Sequence, residues 1–241
     1  MTPPLLDIRG LVKDYQSLRP LRVRELIVHP GRVLSLTGFD AAAAEVFVHL
    51  VTGASLPDAG DISLFGTNTR DIRDVEAWLR SLDGLGLVSH RAVLVDMLTV
   101  LQNVAMPLTL EIEPIADDMR PRVEALAREA GVGESLWDRP LGNVDAETNL
   151  RVRLARAIAP QPRLVIAEHP SATLPRASVA RVAEDLARIA RQRSAALITL
   201  TADAEWASRI GGEVLTLSPA TGELASAAGF MERFRRAFGG S

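Results

Sequence analysis

Residues 34–53, LSLTGFDAAAAEVFVHLVTG, decide the fold of this 241-residue chain. A short apolar run precedes a glycine, an aspartate and a long stretch of helix-forming residues. This order predicts a strand, a tight turn and a helix that ends at Gly53. Asp40 is predicted to cap that helix, which would begin near Ala41. A strand, a turn and a helix N-terminus in this order also form the geometry that binds phosphate groups.

The same residues match the phosphate-binding pattern G-x-x-x-x-G-K-[ST] at one position of four. Gly38 takes the first glycine, but Ala43 stands at the second, Ala44 at the lysine and Glu45 at the serine or threonine. On its own, this match favours an ordinary capped amphipathic helix. Lys13 is the only lysine in the sequence, and because it lies two predicted strands upstream it cannot take the place of Ala44.

Outward from this segment, short apolar runs alternate with longer helical patterns, which predicts an α/β fold. We expect one domain, in which residues 1–89 and 160–241 form the α/β core and residues 90–159 an inserted helical subdomain. The predicted elements are strands before and after a Pro30-Gly31 turn, a strand within 55–66, a helix at 71–82, a strand at 85–89, a mostly helical stretch at 98–159, strands at 164–167, 195–200 and 213–217, helices at 176–193 and 203–210, and an amphipathic tail helix carrying Phe230, Phe234 and Phe238.

The composition excludes several classes of protein. The chain has no cysteine, so disulfides, thiol catalysis and cysteine-ligated zinc are excluded. Its net charge of −3, from 27 basic and 30 acidic residues, argues against nucleic acid as a partner. No apolar run reaches the roughly 18 residues of a membrane span, and the first residues lack a signal-peptide core. We therefore expect a cytoplasmic protein.

Four further segments follow the first in order: VTGASLPDAGDISLFG (51–66), LGLVSHRAVLVDMLTVLQNVAMPL (85–108), VDAETNLRVRLARAIAPQPRLVIAEHPSATLP (144–175) and LITLTADAEWA (197–207). In this order and spacing, the chain from about residue 5 to 225 resembles the ATP-binding subunits of ABC transporters, most closely the bacterial exporter-type and lipid-trafficking members. RLARAIAPQPRLVI (153–166) is the most specific piece. The resemblance implies a P-loop NTPase-like (RecA-like) core with an antiparallel β subdomain and an inserted α-helical subdomain.

The resemblance also assigns family roles to residues that depart from the family pattern. Tyr15 stands where an aromatic ring stacks on adenine, and Glu45 where a hydroxyl binds magnesium. His90 stands at the position of the glutamine that senses the γ-phosphate, and residues 144–148, which include Asp145 and Glu147, stand at the signature. Glu168 and His169 take the place of the carboxylate pair that precedes a proline, here Pro170. Pro175 stands at the position of the aspartate that ends the next loop, and Ala202 at that of the switch histidine.

These departures weigh against nucleotide chemistry. Replacing lysine and a hydroxyl by Ala44 and Glu45 changes the local charge by two units beside a polyanion. One like-charge contact at about 4 Å costs roughly 4 kcal/mol at an effective dielectric near 20, whereas micromolar affinity corresponds to only about −8 kcal/mol in total. We therefore expect no catalytic residues and no cofactor. His90, Glu168 and His169 could form a hydrogen-bonded cluster; a metal there is the minority interpretation, and we predict none.

Two functions remain open. The chain is expected to be a pseudo-ATPase, a structural or regulatory partner of a membrane-embedded transporter subunit, peripheral on the inner face of the membrane. Alternatively, it is the degenerate half of an asymmetric ATPase that pairs with an intact sister subunit, and only then would ATP and Mg²⁺ bind; a homodimer is also open. Function is expected to survive in docking: Val93, Leu94, Val95 and Met97 are predicted to line a surface groove that receives a short helix of the membrane subunit.

Overall fold

The computed structural model describes residues 2–226, which form two β-sheets and seven α-helices. The strands are β1 Leu6–Lys13, β2 Leu21–Val28, β3 Val33–Thr37, β4 Ala59–Leu64, β5 Thr67–Asn68, β6 Leu85–Val88, β7 Leu164–Glu168, β8 Ala196–Leu200, β9 Glu213–Leu217 and β10 Leu224–Ser226. The helices are α1 Ala41–Val51, α2 Val75–Leu82, α3 Val100–Ala105, α4 Arg120–Glu129, α5 Ala146–Ile158, α6 Arg176–Gln192 and α7 Ala204–Ile210.

The central sheet has six strands in the order β10-β9-β3-β8-β7-β6. All neighbours pair in parallel except β10, which is antiparallel to β9. β7 and β8 are buried along their whole length because both faces of the sheet are covered. Leu164 and Ile166 of β7 face one hydrophobic cluster, while Val165 and Ala167 face the other.

The second sheet is antiparallel, with strand order β2-β1-β4-β5, and it shares a core with α1 and one face of the central sheet. Its pairing between β1 and β4 shifts register between Arg9 and Val12. Gly60 lies at this irregularity with φ +80°, and a Cβ there would meet the Gly10 carbonyl oxygen at 2.3 Å. Glycine is therefore required for β4 to approach β1 this closely.

Helices α3 to α7 share the core on the opposite face of the central sheet. The stretch 98–159 is less helical than its sequence predicts, because α3 has six residues and 106–119 contains turns, Pro107 and Pro114 instead of a helix. The helix predicted at 71–82 begins at Val75, after a short 3₁₀ turn at Thr69–Asp71. The tail helix predicted for Phe230, Phe234 and Phe238 lies outside the described residues.

Candidate functional site

The turn between β3 and α1 is closed by the side chain of Asp40. Its Oδ1 atom accepts a hydrogen bond from the Ala43 N–H at 2.7 Å, and the Ala44 N–H donates to the Asp40 carbonyl at 2.9 Å. The helix begins at Ala41, as the sequence predicts. The amides of residues 43 and 44 are thus used inside the helix start, and the Ala44 methyl group is fully buried in the core.

Gly38 is retained for a packing reason at this turn. Its φ is +85°, and a Cβ there would lie 2.8 Å from the Leu217 carbonyl oxygen at the end of β9. Gly38, Ala43 and Tyr15 line one open cavity of about 430 Å³, in which Asp40 supplies a carboxylate. Gly38 is therefore explained by the close approach of β3 and β9.

Glu45 of α1 does not line this cavity and instead contacts a residue near the end of β6. One of its carboxylate oxygens is 3.2 Å from Nη1 of Arg91, which follows β6. Nη2 of the same guanidinium lies 2.7 Å from Oε2 of Glu168 at the end of β7. Arg91 thus joins Glu45, which stands at the position of the family hydroxyl, to Glu168, the first residue of the carboxylate pair.

His90, Glu168 and His169 line a common cavity of about 260 Å³. His169 has an unusual φ of +41° and donates its backbone N–H to the Leu200 carbonyl at 2.8 Å, while His90 is exposed. Within residues 2–226, however, no three histidine, cysteine or acidic side chains form a group that could hold a metal ion. Ala202, at the switch position, is an exposed methyl group ahead of α7.

Asp145, in the segment that resembles the signature, is used to begin α5. Its carboxylate accepts a hydrogen bond from the Thr148 N–H at 2.7 Å. This backbone hydrogen bond is the main reason that the pKa of Asp145 is lowered, and Arg151 and Arg181 lower it further.

Glu147 is held by two arginines. Arg151 Nε lies 2.9 Å from one oxygen of Glu147, and Arg181 Nη2 lies 2.7 Å from the other. Burial by itself raises the pKa of Glu147, but hydrogen bonds from Ser178 and from these two arginines outweigh it, so that the pKa is lowered. Both acids of this segment are therefore engaged inside the chain.

The predicted docking residues are partly exposed. Val93 and Met97 are 76% and 89% exposed, and Leu94 and Val95 are half-buried. Val93 and Leu94 line a surface cavity of about 430 Å³, but Val95 and Met97 lie outside its lining. The four residues thus do not line one common cavity in the described structure, and their role in docking stays a prediction.

Three residues that organise the site were not identified from the sequence. Arg91 and Arg151 are two of many arginines, and no local pattern distinguishes them. Asn103, in the first turn of α3, is a polar residue that is fully buried. A sequence signal was present, because Thr99 and Gln102 form a capping box that marks the start of α3. Asn103 therefore lies in the first turn of α3, from which its side chain can contact the loop that precedes the helix.

The arrangement of the elements defines the class of protein: a parallel sheet with a β3–turn–α1 unit, flanked by an antiparallel sheet and by helices inserted between β6 and β7. The fold is similar to the dimeric ATP-binding cassette MJ0796 bound to ADP and Pi, with a TM-score of 0.73 over 91% of this chain and 96% of that one, at 19% identity. It is also similar to cbiO1 from Clostridium perfringens, with a TM-score of 0.75 over 98% and 96% of the two chains, at 16% identity. The fold is thus that of a P-loop NTPase of the ATP-binding cassette class.

The sequence places the chain within this class. It is 32% identical, over 215 residues, to the lipoprotein-releasing system ATP-binding protein LolD 2 of Caulobacter vibrioides, covering 86% of this chain and 92% of that protein. It is 30% identical over 210 residues to LolD of Alcanivorax borkumensis, covering 86% and 91% of the two chains. No protein-family model matches the sequence. The chain belongs to the ABC transporter ATP-binding proteins, and is a subunit of the LolD type.

Proposed function

We propose that this subunit is a pseudo-ATPase that serves a membrane transporter as a structural or regulatory partner. The observation that carries the proposal is the closed start of α1. Asp40 and the helix backbone use the amides of Ala43 and Ala44, and the position of the lysine is a buried methyl group. In the cavity that Gly38 and Tyr15 line, a nucleoside triphosphate would meet the carboxylate of Asp40 beside Arg19 and Arg22. The position of the family lysine holds Ala44.

The residues at the other family positions of the nucleotide site do not suit a magnesium nucleotide either. Glu45, at the position of the magnesium-binding hydroxyl, and Glu168, the first residue of the carboxylate pair, already share the guanidinium of Arg91. His169 replaces the second carboxylate, and Ala202 has no group that could stabilise charge or move a proton. Phosphoryl transfer depends on positioning and on charge stabilisation, and neither is supplied by these residues. ATP and Mg²⁺ are therefore not expected to bind.

The alternative function, the degenerate half of an asymmetric ATPase, would require this chain to complete the site of an intact sister subunit. The segment that resembles the signature would have to face the γ-phosphate. Its two acids are instead tied to the start of α5 and to Arg151 and Arg181. Their negative charge would oppose a phosphate, which favours the pseudo-ATPase over this alternative.

The docking segment, residues 90–97, supports a role in assembly. Its backbone is fixed to α5, because Arg156 Nη1 donates to the Val93 carbonyl at 2.6 Å and Arg153 Nη2 donates to the His90 carbonyl at 3.3 Å. Val93 and Met97 project outward from this fixed backbone. An exposed apolar pair on a rigid loop is a suitable contact for a helix of a partner protein.

The partner we propose is a membrane-embedded subunit of a transporter of the kind that the relatives' names describe, a lipoprotein-releasing system. Within residues 2–226, no helix has the length and hydrophobicity to cross a bilayer. We propose that the chain lies in the cytoplasm, held at the inner face of the membrane by this partner. A second ATP-binding subunit, either a sister chain or another copy of this one, would complete the complex.

The test is affinity purification of the tagged chain from detergent-solubilised membranes of its own organism, with identification of the co-purifying proteins. We expect a polytopic membrane protein, and we expect Val93→Glu and Met97→Glu to abolish its recovery while leaving the melting temperature nearly unchanged. Val75→Glu is the matched control, since Val75 is 71% exposed on α2, away from the segment. If no membrane protein is recovered, or if Val75→Glu abolishes recovery equally, the proposed docking role is contradicted.

A further inference from the structure

Arg91 lies at the centre of a contact between three elements. Its guanidinium reaches Glu45 on α1 with Nη1, at 3.2 Å, and Glu168 at the end of β7 with Nη2, at 2.7 Å. The Glu168 side chain is 0% exposed, whereas Arg91 and Glu45 are partly accessible. We call these three residues the Arg91 bridge.

Ser89 completes the surroundings of Glu168. Its hydroxyl donates to Oε2 of Glu168 at 2.8 Å, and it accepts a hydrogen bond from the Arg91 N–H at 3.1 Å. The loop after β6 is thereby folded back onto β7. The other oxygen of Glu168, Oε1, is buried and has no hydrogen-bond partner among residues 2–226.

The charges of the bridge do not balance. One guanidinium faces two carboxylates, and Nε2 of His49 lies 4.0 Å from the other oxygen of Glu45. Within residues 2–226, Arg91 is the sole cationic side chain paired with Glu168. A buried carboxylate without a counter-charge is very unfavourable, so removing Arg91 would leave the site in need of another cation.

We infer that Arg91 is the resident cation of this site, a guanidinium of the chain itself that fills the position in which Glu45 and Glu168 would otherwise bind a divalent metal ion. Paired carboxylates with an unused oxygen are suitable ligands for such an ion. Because the guanidinium is covalently part of the chain, the site is filled permanently and needs no nucleotide.

The bridge also has a consequence for docking, and this part rests on the proposed function. Arg91 is two residues before Val93, and the docking segment continues directly from it. A bridge that ties Arg91 to both α1 and β7 therefore holds the start of the docking segment against the core in one position. The segment would then be presented to its partner constantly, whether or not any ligand is present.

The experiment measures thermal unfolding of the full chain with and without Mn²⁺ at about millimolar concentration. The control Arg80→Met removes an exposed ion pair with Glu76. Wild type and this control are expected to have the same melting temperature, and Mn²⁺ is expected not to change it. Arg91→Met is expected to melt lower by roughly 6 to 20 °C, because one partner of a buried pair is lost. Mn²⁺ at about ten times its dissociation constant should raise that melting temperature by about 3 to 6 °C.

The double variant Arg91→Met/Glu168→Gln removes the buried charge together with the arginine. It is expected to melt above Arg91→Met and to be insensitive to Mn²⁺. Should Arg91→Met fail to fold, the double variant is still expected to fold, and its failure as well would overturn the inference. Stabilisation of wild type by Mn²⁺ to the same extent as Arg91→Met, or an Arg91→Met protein that melts like wild type, would also overturn it.

The thermal unfolding experiment contains neither nucleotide nor a partner protein. A result that overturns the role of Arg91 is therefore distinguishable from a result that overturns the proposed function, which would be nucleotide binding or the absence of a membrane partner.

Discussion

Asn103 binds the backbone of Val95 on both sides. Its Oδ1 atom accepts the Val95 N–H at 2.9 Å, and its Nδ2 atom donates to the Val95 carbonyl at 3.0 Å. The same nitrogen lies 3.0 Å from the Thr99 carbonyl, inside the first turn of α3. A fully buried amide thus fixes the loop from which Val93 and Met97 project.

The first prediction concerns this amide. Asn103→Leu has a similar volume but leaves the Val95 N–H without its partner, while the Val95 carbonyl keeps the Leu98 N–H at 3.1 Å. One unsatisfied buried group costs about 1–3 kcal/mol, so we expect the free energy of unfolding, measured by urea denaturation, to fall by about that much. Asn143→Leu, at an exposed position, is the control and should stay close to wild type. Equal stability of the two variants would show that Asn103 does not hold the loop.

The second prediction concerns the start of α1. Asp40→Ala removes the acceptor for the Ala43 N–H and should lower the free energy of unfolding by about 1 kcal/mol. Asp40→Asn keeps an acceptor oxygen and should remain near wild type, since asparagine caps helices about as well as aspartate. Chemical denaturation of both variants distinguishes capping from a role of the charge: if Asp40→Asn is the less stable of the two, capping is not the reason for this aspartate.

The third prediction concerns the missing lysine. Ala44 is fully buried, while Ala42 is exposed on the same helix. Ala44→Lys should lower the free energy of unfolding by at least about 2 kcal/mol, because an unpaired ammonium group would have to enter the core. Ala42→Lys should change it by less than about 0.5 kcal/mol. Restoring the family lysine is therefore not expected to restore nucleotide binding, and an Ala44→Lys protein as stable as Ala42→Lys would contradict the buried position.

The sequence was a good guide to the fold and a partial guide to the site. Alternating apolar runs predicted β3, β7 and β8, and Asp40 predicted the start of α1, because these signals are local. Arg91 contacts residues 46 and 77 positions away, and Arg151 contacts Asp185, 34 positions away on α6, so no local pattern reveals these contacts. The pair of Arg151 with Glu147, four residues apart on α5, is local. The burial of Asn103 could not be predicted either, because a polar residue near a helix start is normally exposed.

The fourth prediction concerns acid stability. Glu147 and Asp185 share Arg151. Burial raises the pKa of each, but hydrogen bonds outweigh it and lower the pKa: from Ser178, Arg151 and Arg181 for Glu147, and from Arg151 and Arg188 for Asp185. The unfolded chain therefore binds more protons than the folded chain in acid, so stability rises with pH there. The contribution is complete above about pH 4.5, near the ordinary pKa of a carboxyl group, and is lost as the pH falls through the lower pKa of the folded state.

Urea denaturation at several pH values between about 3 and 7 measures this dependence. We expect the midpoint to fall on acidification, and Glu147→Gln to show a shallower fall because one of the protonating groups is gone. Glu76→Gln, on the exposed side of α2, serves as the control and should keep the wild-type profile. A Glu147→Gln protein with the same profile as wild type would contradict the assignment to this cluster.

The most direct test of the pseudo-ATPase is calorimetric titration of the purified chain with ATP and Mg²⁺, with the Caulobacter vibrioides relative as the positive control. We predict no binding at micromolar nucleotide, because Ala44 removes a cation, Asp40 and the helix backbone close the turn, and Arg91 already occupies the two carboxylates. A dissociation constant below about 100 μM, which corresponds to about −5.5 kcal/mol, would contradict the proposal.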